Sequence, residues 1–197
     1  MFVSKEPLIQ SVGCVNWPDI FPDKPEVKFE ISCSGREILL HFRVCEPVTR
    51  AVCSNDRENM WEDSCVEFFF APCDDGLYYN FEFNCIGKLY LCCGSGRNGR
   101  TFLPQEAYSL VRRRSSLGSE PFGLREVPEW ELEVAIPVQA LSFHDLMSFS
   151  GLHASGNLYK CGNMLPRRHY LSWAPVAAPA PDFHRPDCFG KIDFDTF

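Results

Sequence analysis

The chain has 197 residues, of which 45% are hydrophobic and 14% aromatic, so it can bury a substantial core as one ordinary domain. Its net charge of -7, from 19 basic and 26 acidic residues, excludes a general nucleic-acid binder, which needs a basic surface for phosphates. No apolar run of 18 residues occurs, which excludes a membrane-spanning helix. We therefore expect residues 1–197 to form a single domain.

The cysteines are numerous but show no metal-binding or redox spacing. There are 11 of them, with no CxxC pair, so neither a zinc knuckle nor a thioredoxin-type site is supported. The N-terminus lacks the basic region and long apolar run of a signal peptide. Free thiols without an export signal predict a cytoplasmic protein, or an extracellular or periplasmic one if a signal has been removed.

The chain begins with an extended lead-in over residues 1–25, where four prolines disfavour a helix. Apolar and polar residues then alternate over Val27–Cys33 and Ile38–Val44, and Ser34-Gly35 forms a turn between them. This pattern predicts a β-hairpin. Further strands are predicted at Thr49–Cys53, Val66–Ala71, Tyr78–Ile86, Leu89–Cys93, Tyr108–Ser115, Trp130–Ile136, Asn157–Cys161, Arg168–Trp173 and Lys191–Phe194.

Only one segment, Val138–Phe149, has the length of a helix, and it is short. About ten short strands separated by Gly and Pro turns are typical of an antiparallel sandwich or jelly roll. Strands and helices do not alternate, which argues against a parallel sheet. The sequence therefore predicts an all-β fold, an antiparallel β-sandwich of jelly-roll or immunoglobulin-like type with one short helix.

Two tryptophans stand beside polar residues at the ends of predicted strands. Trp61 follows a polar loop and precedes an apolar strand, and Trp173 precedes a proline-rich loop over residues 174–181. A flat aromatic ring can pack against the C–H face of a pyranose while polar side chains bind its hydroxyls. If the two rings meet, they predict a sugar-binding surface. The alternative is that each ring caps an end of the sandwich core.

Polar side chains that would bind sugar hydroxyls accompany these rings. Glu67 interrupts an apolar strand and needs a partner, because burying an unpaired carboxylate is costly. Asn84 would adjoin Glu67 if the two neighbouring strands pair as a hairpin. Arg97 and Arg100 lie in a glycine-rich loop that would carry a guanidinium towards a ligand, and the alternative for them is solvated loop charges.

Acidic residues between Asp56 and Asp75 are candidate calcium ligands. Carboxylate oxygens are the ligands that Ca²⁺ prefers, but no EF-hand spacing is present, and ordinary surface acids are the alternative. The candidates are Asp56, Glu62, Asp63, Asp74 and Asp75.

Two further functions are compatible with the sequence. A haem- or redox-binding sandwich would use Met60 as one ligand and a histidine as the other. The candidate histidines are His41, His169 and His184. A glycoside hydrolase would instead use a carboxylate pair, Asp63 and Glu67.

Several segments together resemble the bacterial family 9 carbohydrate-binding-module-like proteins, within the DOMON-like β-sandwich superfamily. The matching segments are Trp61–Phe69, Tyr79–Gly87, Trp130–Pro137, Tyr159–Gly162, Tyr170–Trp173 and Phe183–Gly190.

The resemblance implies a β-sandwich that binds a mono- or oligosaccharide without catalysis, as an accessory in polysaccharide use, and a structural calcium ion. It also implies that two tryptophans sandwich a terminal sugar. Trp61, Trp173 and Glu67 fall on matching positions, with Asn84 and Arg97 as further ligand-binding candidates.

Overall fold

The computed structural model describes all residues, Met1–Phe197, and consists mostly of strands and loops. The strands are β1 (Phe2–Val3), β2 (Leu8–Ser11), β3 (Cys14–Val15), β4 (Glu26–Cys33), β5 (Glu37–Cys45), β6 (Thr49–Ala51), β7 (Cys65–Ala71), β8 (Tyr78–Asn84), β9 (Leu89–Gly94), β10 (Thr101–Phe102), β11 (Arg112–Ser115), β12 (Phe122–Arg125), β13 (Glu129–Pro137), β14 (His153–Cys161), β15 (Tyr170–Ser172) and β16 (Gly190–Phe194). The helical segments are α1 (Gln105–Leu110) and three single 3₁₀ turns at Met60–Glu62, Val138–Ala140 and Pro186–Cys188. No helix has the length and hydrophobicity of a membrane span.

The strands form two main sheets that face each other. The large sheet has the order β1-β16-β14-β7-β8-β9-β10, with β15 attached to β14 and β3 attached to β15. The small sheet has the order β11-β13-β5-β4-β2, and β12 pairs with β6 separately. Only the short β1–β16 pair is parallel. The predicted all-β sandwich is confirmed.

The main core lies between the two sheets. Because successive side chains of a strand point to opposite faces, Phe68 and Phe70 of β7 point inward, and Phe81 and Phe83 of β8 do the same. The rings of Phe68 and Phe81 stack with centroids 6.4 Å apart. This core contains 39 buried residues, enough to hold both sheets together without a disulfide.

A second core lies on the outer face of the large sheet. Phe69 of β7 and Tyr159 of β14 point outward, where the loops around Trp17, Met60 and Phe183 cover them. The rings of Tyr159 and Phe183 stack with centroids 4.1 Å apart. The loops are therefore anchored on the sheet, and they leave a cleft open on its outer face.

A buried ion pair lies next to the main core. The Lys160 ammonium is fully buried, 2.9 Å from a carboxylate oxygen of Glu46, whose other oxygen accepts a hydrogen bond from Trp130 Nε1 at 2.7 Å. Lys160 also donates to His169 Nε2 at 2.8 Å, so the neutral ring carries its proton on Nδ1, next to the Arg167 carbonyl oxygen. Burial and the neighbouring ammonium lower the pKa of His169 to about 2.

The strand predictions agree closely with the structure in the first half of the chain. The predicted hairpin is formed by β4 and β5, with Phe29 opposite Phe42, and residues 1–25 are extended apart from turns. The predicted strand Tyr108–Ser115 is partly wrong, because its first residues end α1. There Tyr108 is buried, and its hydroxyl donates to the Leu91 carbonyl oxygen at 2.8 Å, which a sequence pattern does not reveal.

The predicted helix Val138–Phe149 is wrong beyond the 3₁₀ turn over its first three residues. The backbone N–H of Val138 donates to the Arg36 carbonyl oxygen at 2.9 Å, and that of Phe149 donates to the Gly35 carbonyl oxygen at 2.7 Å. These long-range bonds fix both ends of the segment to the β4–β5 turn, so a tertiary contact overrides the local pattern.

Candidate functional site

An open cleft of about 220 Å³ lies on the outer face of the large sheet, between the loops that cover the second core. It is lined by Trp61, Glu67, Glu82, Arg97, Arg100, Cys161, Asn163, Tyr170, Pro181, Asp182, Phe183 and His184. Aromatic rings, carboxyl groups and guanidinium groups therefore converge on one concave surface, which is the composition of a small-molecule site.

A larger depression of about 470 Å³ lies on the outer face of the small sheet. It is lined mainly by charged and aliphatic side chains and contains no Phe, Tyr or Trp ring. Its arginines are engaged: Arg112 pairs with Glu37 at 2.8 Å and Arg114 pairs with Glu133 at 2.6 Å. The chemistry of a ligand site is therefore concentrated in the smaller cleft on the large sheet.

The floor of the cleft carries two carboxyl groups side by side. Glu67 of β7 and Glu82 of β8 are directly opposite each other in the antiparallel pair, and both are almost fully buried. Burial raises the pKa of Glu67, and the Cys161 thiol adds to the increase. Burial also raises the pKa of Glu82, with Glu67 as the next contribution. The pair therefore favours holding at least one proton, because two adjacent buried carboxylates repel each other.

Neighbouring groups satisfy only part of this floor. The Cys161 thiol donates to Glu67 Oε1 at 3.1 Å, and the Asn80 amide donates to Glu82 Oε1 at 2.8 Å. Arg100 Nη1 lies 3.6 Å from the same Glu82 oxygen. The other oxygen of Glu82 and Arg100 Nη1 have no hydrogen-bond partner in the protein, although both are buried. They are an acceptor and a donor at the cleft that a polar ligand would satisfy.

Trp61 forms part of the cleft wall. Its 3₁₀ turn is fixed to the end of β14, because the backbone N–H of Asn163 donates to the Trp61 carbonyl oxygen at 2.9 Å. The half-buried indole packs against Tyr90 in a T-shaped arrangement, with centroids 5.3 Å apart and an angle of 78° between the ring planes. The other aromatic rings of the cleft are Tyr170 and Phe183, whose centroids are 6.1 Å apart. The indole is thus oriented by packing before any ligand arrives.

The remaining wall is tied to the loop that precedes β16. Arg97 lies at the exposed rim, where its Nη2 donates to Asp182 Oδ1 at 2.8 Å. His184 Nδ1 lies 2.7 Å from the Tyr78 hydroxyl, and burial, followed by the field of Arg100, lowers the pKa of His184 to about 3. His184 is therefore neutral near pH 7, and it contributes a hydrogen-bonding group and not a charge.

The structure brings three of the five predicted site residues together. Trp61, Glu67 and Arg97 line the cleft. Asn84 does not line it, because its amide is buried and donates to Asp63 Oδ2 at 3.0 Å and to the Cys53 carbonyl oxygen at 3.1 Å. Asn84 supports the loop that carries Trp61.

Trp173, the other predicted aromatic residue, also lies outside the cleft lining. Its backbone N–H donates to the Leu158 carbonyl oxygen at 2.8 Å, and its ring packs against the main core. The ring also covers Gly190, where an added Cβ would lie 2.4 Å from a ring carbon. The two indoles therefore do not face each other in this cleft.

Several cleft residues escaped the sequence interpretation. Glu82 is missed, because only the β7–β8 register shows that it lies opposite Glu67. The length of the hairpin turn between these strands was the available signal, since turn length constrains register. Tyr170 lies at the start of β15, whereas Phe183 and Asn163 lie on loops whose paths the sequence does not define.

Most of the residues proposed for catalysis or haem binding lie outside the cleft, and only Glu67 and His184 line it. Asp63 is fully buried, pairs with Arg50, and accepts hydrogen bonds from the backbone N–H groups of Val52 and Cys53 at 3.0 and 2.9 Å. Met60 is buried in the second core, whereas His41 lies on the small sheet beside Glu131. The structure therefore brings together neither the proposed carboxylate pair nor Met60 and His41.

The predicted calcium ion has no acidic cage in this fold. The one group of three metal-ligating side chains whose donor atoms lie within 4.8 Å of one another is Cys65, Glu67 and Cys161. Ca²⁺ takes six to eight oxygen ligands, so two thiols and a carboxyl do not fit it. Of the acidic candidates, Asp56 pairs with Arg113 at 2.8 Å and Asp75 lies 3.0 Å from His144. A calcium ion stays a prediction.

One family model and several solved structures are similar to this chain. The family model described as "Carbohydrate-binding family 9" matches residues 2–194. A crystal structure of a putative carbohydrate-binding protein from Bacteroides uniformis is 46% identical, with a TM-score of 0.93, and the match covers 96% of this chain and 87% of that one. No curated protein matches the chain.

More distant structures share the fold. A carbohydrate binding module of family 9 from Caldicellulosiruptor kristjanssonii in complex with cellotriose is 12% identical, with a TM-score of 0.59, and the match covers 100% of this chain and 94% of that one. The same kind of module in complex with glucose is 13% identical, also with a TM-score of 0.59, and covers 100% and 96%.

Proposed function

The chain belongs to carbohydrate-binding family 9, and we propose that it binds the end of a mono- or oligosaccharide, without catalysis, in the cleft of the large sheet. The observation that carries the proposal is the meeting of a pre-oriented indole, Trp61, with two buried carboxyl groups, of which Glu82 has an oxygen without a hydrogen-bond partner in the protein. Two family 9 modules of similar fold hold cellotriose and glucose, which makes glucose and short β-glucans the first ligands to test.

The chemistry of the cleft suits a pyranose. The apolar C–H face of the sugar would pack on the Trp61 ring, and its hydroxyls would reach Glu67, Glu82 and Arg100 on the floor. A hydroxyl group both donates and accepts, so it satisfies the unpaired carboxyl oxygen of Glu82 and the unpaired donor of Arg100 at the same time. Arg97, at the rim, would contact a ligand that extends out of the cleft.

The second aromatic contact would come from residues other than the predicted one. Tyr170 and Phe183 line the cleft, whereas Trp173 packs on Gly190. We therefore propose that the sugar is held by one tryptophan together with these two rings, and that Trp173 acts only through packing.

The arrangement of the carboxyl groups supports the proposal of binding without hydrolysis. A glycosidase places one carboxyl on each side of the scissile bond. Glu67 and Glu82 are neighbours on one face of one sheet, and burial raises the pKa of both. Because their environments are alike, neither is distinguished as the general acid or as the base. The proposed role is recognition of a sugar.

Isothermal titration calorimetry with glucose, cellobiose and cellotriose tests the proposal. We expect saturable binding of at least one of them by the native protein. Glu82→Gln would weaken the affinity for the sugar by about tenfold, because the amide cannot replace a carboxyl that donates or accepts as the ligand requires. The loss of one hydrogen bond to a charged group costs about 1.5 kcal/mol, which corresponds to this factor.

The matched control is Glu133→Gln, which neutralises an exposed glutamate on the small sheet and leaves binding unchanged. The proposal is wrong if no sugar of a broad glycan array binds the native protein. If the native protein releases glucose from cellotriose and Glu67→Gln does not, the function is hydrolysis and not binding alone.

A further inference from the structure

Two thiols and a carboxyl group meet beneath the cleft. Cys65 of β7 and Cys161 of β14 are directly opposite in the antiparallel pair, so their side chains leave the sheet on the same outer face. Glu67, two residues after Cys65, lies on that face as well. One donor atom from each of the three lies within 4.8 Å of the other two, and the shortest separation, Cys161 Sγ to Glu67 Oε1, is 3.1 Å.

These donors suit a zinc-type cation. In tetrahedral zinc sites, Zn–S bonds of about 2.3 Å and Zn–O bonds of about 2.1 Å put the ligand atoms roughly 3.5 to 3.8 Å apart. The observed spacings lie within about 1 Å of that arrangement, so rotation of the side chains would close the site. The site has no CxxC motif, because its three donors come from two strands almost a hundred residues apart in the chain.

The cluster is reached from one side only. Glu67 and Cys161 line the open cleft, whereas Cys65, the first residue of β7, is fully buried beneath it. An ion would therefore enter from the cleft and keep its fourth position facing the cavity. This leaves room for a water molecule or a ligand oxygen, as in zinc sites with three protein ligands.

The surroundings provide an independent sign that the floor is incomplete. Glu82, next to Glu67, lines the same cleft and is only 2% exposed, yet its Oε2 has no hydrogen-bond partner in the protein. A water molecule on a bound cation would donate to this oxygen, since carboxylates next to a zinc site commonly accept hydrogen bonds from the groups that bind the metal. The guanidinium of Arg100 offsets the negative charge that two thiolates and a carboxylate bring.

We propose that Cys65, Cys161 and Glu67 form a binding site for a thiophilic divalent cation of the zinc type at the floor of the cleft. On binding, each thiol releases its proton to solvent and forms one sulfur–metal bond, and Glu67 provides one oxygen as a carboxylate, so that a proton held by the Glu67–Glu82 pair is also released to solvent. The Cys161–Glu67 hydrogen bond is exchanged for two metal bonds. No electrons are transferred.

Cobalt(II) is the probe, because thiolate ligation gives it a sulfur-to-cobalt charge-transfer band. The titration uses reduced, metal-free full-length protein in which the exposed Cys45 and Cys73 are replaced by serine to remove adventitious thiol sites. We expect one cobalt per chain with this band, which Zn²⁺ then displaces. Cys65→Ser and Cys161→Ser should each weaken binding at least tenfold and reduce the band.

Cys33→Ser is the matched control, because Cys33 is also a buried strand cysteine but lies on the small sheet. It should keep the full band. Glu67→Gln keeps the shape of the side chain and both thiols, so it tests the site even if a cysteine variant fails to fold; it should weaken cobalt binding while retaining a weaker band. A second readout is the melting temperature, which stoichiometric Zn²⁺ should raise in the parent protein and in Cys33→Ser.

The proposal is wrong if the parent protein gives no charge-transfer band, or if Cys65→Ser and Cys161→Ser leave the band as strong as Cys33→Ser does. Because cobalt is detected directly, these outcomes do not depend on whether the cleft takes a sugar.

Discussion

Replacing Trp61 by alanine tests how much of the proposed sugar affinity comes from one ring. The half-buried indole lines the cleft and is packed against Tyr90 with ring centroids 5.3 Å apart, so the part of the ring that stays exposed is held ready for the ligand. A pyranose stacked on it would bury about 80 Å² of apolar ring surface, which at about 25 cal/mol per Å² corresponds to about 2 kcal/mol. We therefore expect Trp61→Ala to raise Kd for the best sugar about 30-fold.

The assay is calorimetric titration, combined with the change in tryptophan fluorescence on adding sugar. The protein has four tryptophans, and the fluorescence change should disappear in Trp61→Ala only. Trp173→Phe is the control, since it keeps an aromatic ring over Gly190 and should change Kd less than twofold. The reasoning is refuted if Trp61→Ala, folded by circular dichroism, binds as tightly as the native protein, or if Trp173→Phe shows the larger loss.

Three further predictions concern stability, each measured by urea denaturation. Gly190→Ala should destabilise the fold by about 1 to 3 kcal/mol, because its Cβ would lie 2.4 Å from the Trp173 ring. Gly96→Ala is the control and should change stability little, because nothing lies within 4 Å of its Cβ; equal effects of the two variants would contradict this packing. Lys160→Met should cost about 3 to 5 kcal/mol, because it leaves its carboxylate partner buried and unpaired; a loss below 1 kcal/mol would argue against a buried ion pair. His169 has a folded pKa of about 2 and an unfolded value near 6.5, so only the unfolded chain gains its proton as pH falls below about 6.5. Lowering pH from 7.5 to 5.5 should therefore remove about 1.4 kcal/mol of stability, and His169→Gln should lack that part of the slope; an unchanged slope would contradict it.

Local sequence patterns encode the strands and their inner faces, but they do not encode contacts between distant residues. The alternation in Val27–Cys33 and Ile38–Val44 reports strands and their inner faces, because residue spacing along a strand fixes which side chains share a face. The apolar run around Glu67 likewise places a carboxyl in a buried strand. The prediction for Tyr108–Ser115 fails at its start, because a long-range hydrogen bond from Tyr108 to β9 decides that segment.

The candidate site shows the same division. The sequence by itself determined the sandwich, the position of Trp61 before a buried strand, and the presence of a carboxyl that needs a partner, since these follow from periodicity and the cost of burying charge. Only the tertiary structure decided that Glu82 lies opposite this carboxyl, Glu67. It also decided that Trp173 packs on Gly190 outside the cleft. Register and loop paths depend on contacts between residues far apart in the chain, and no local spacing encodes them.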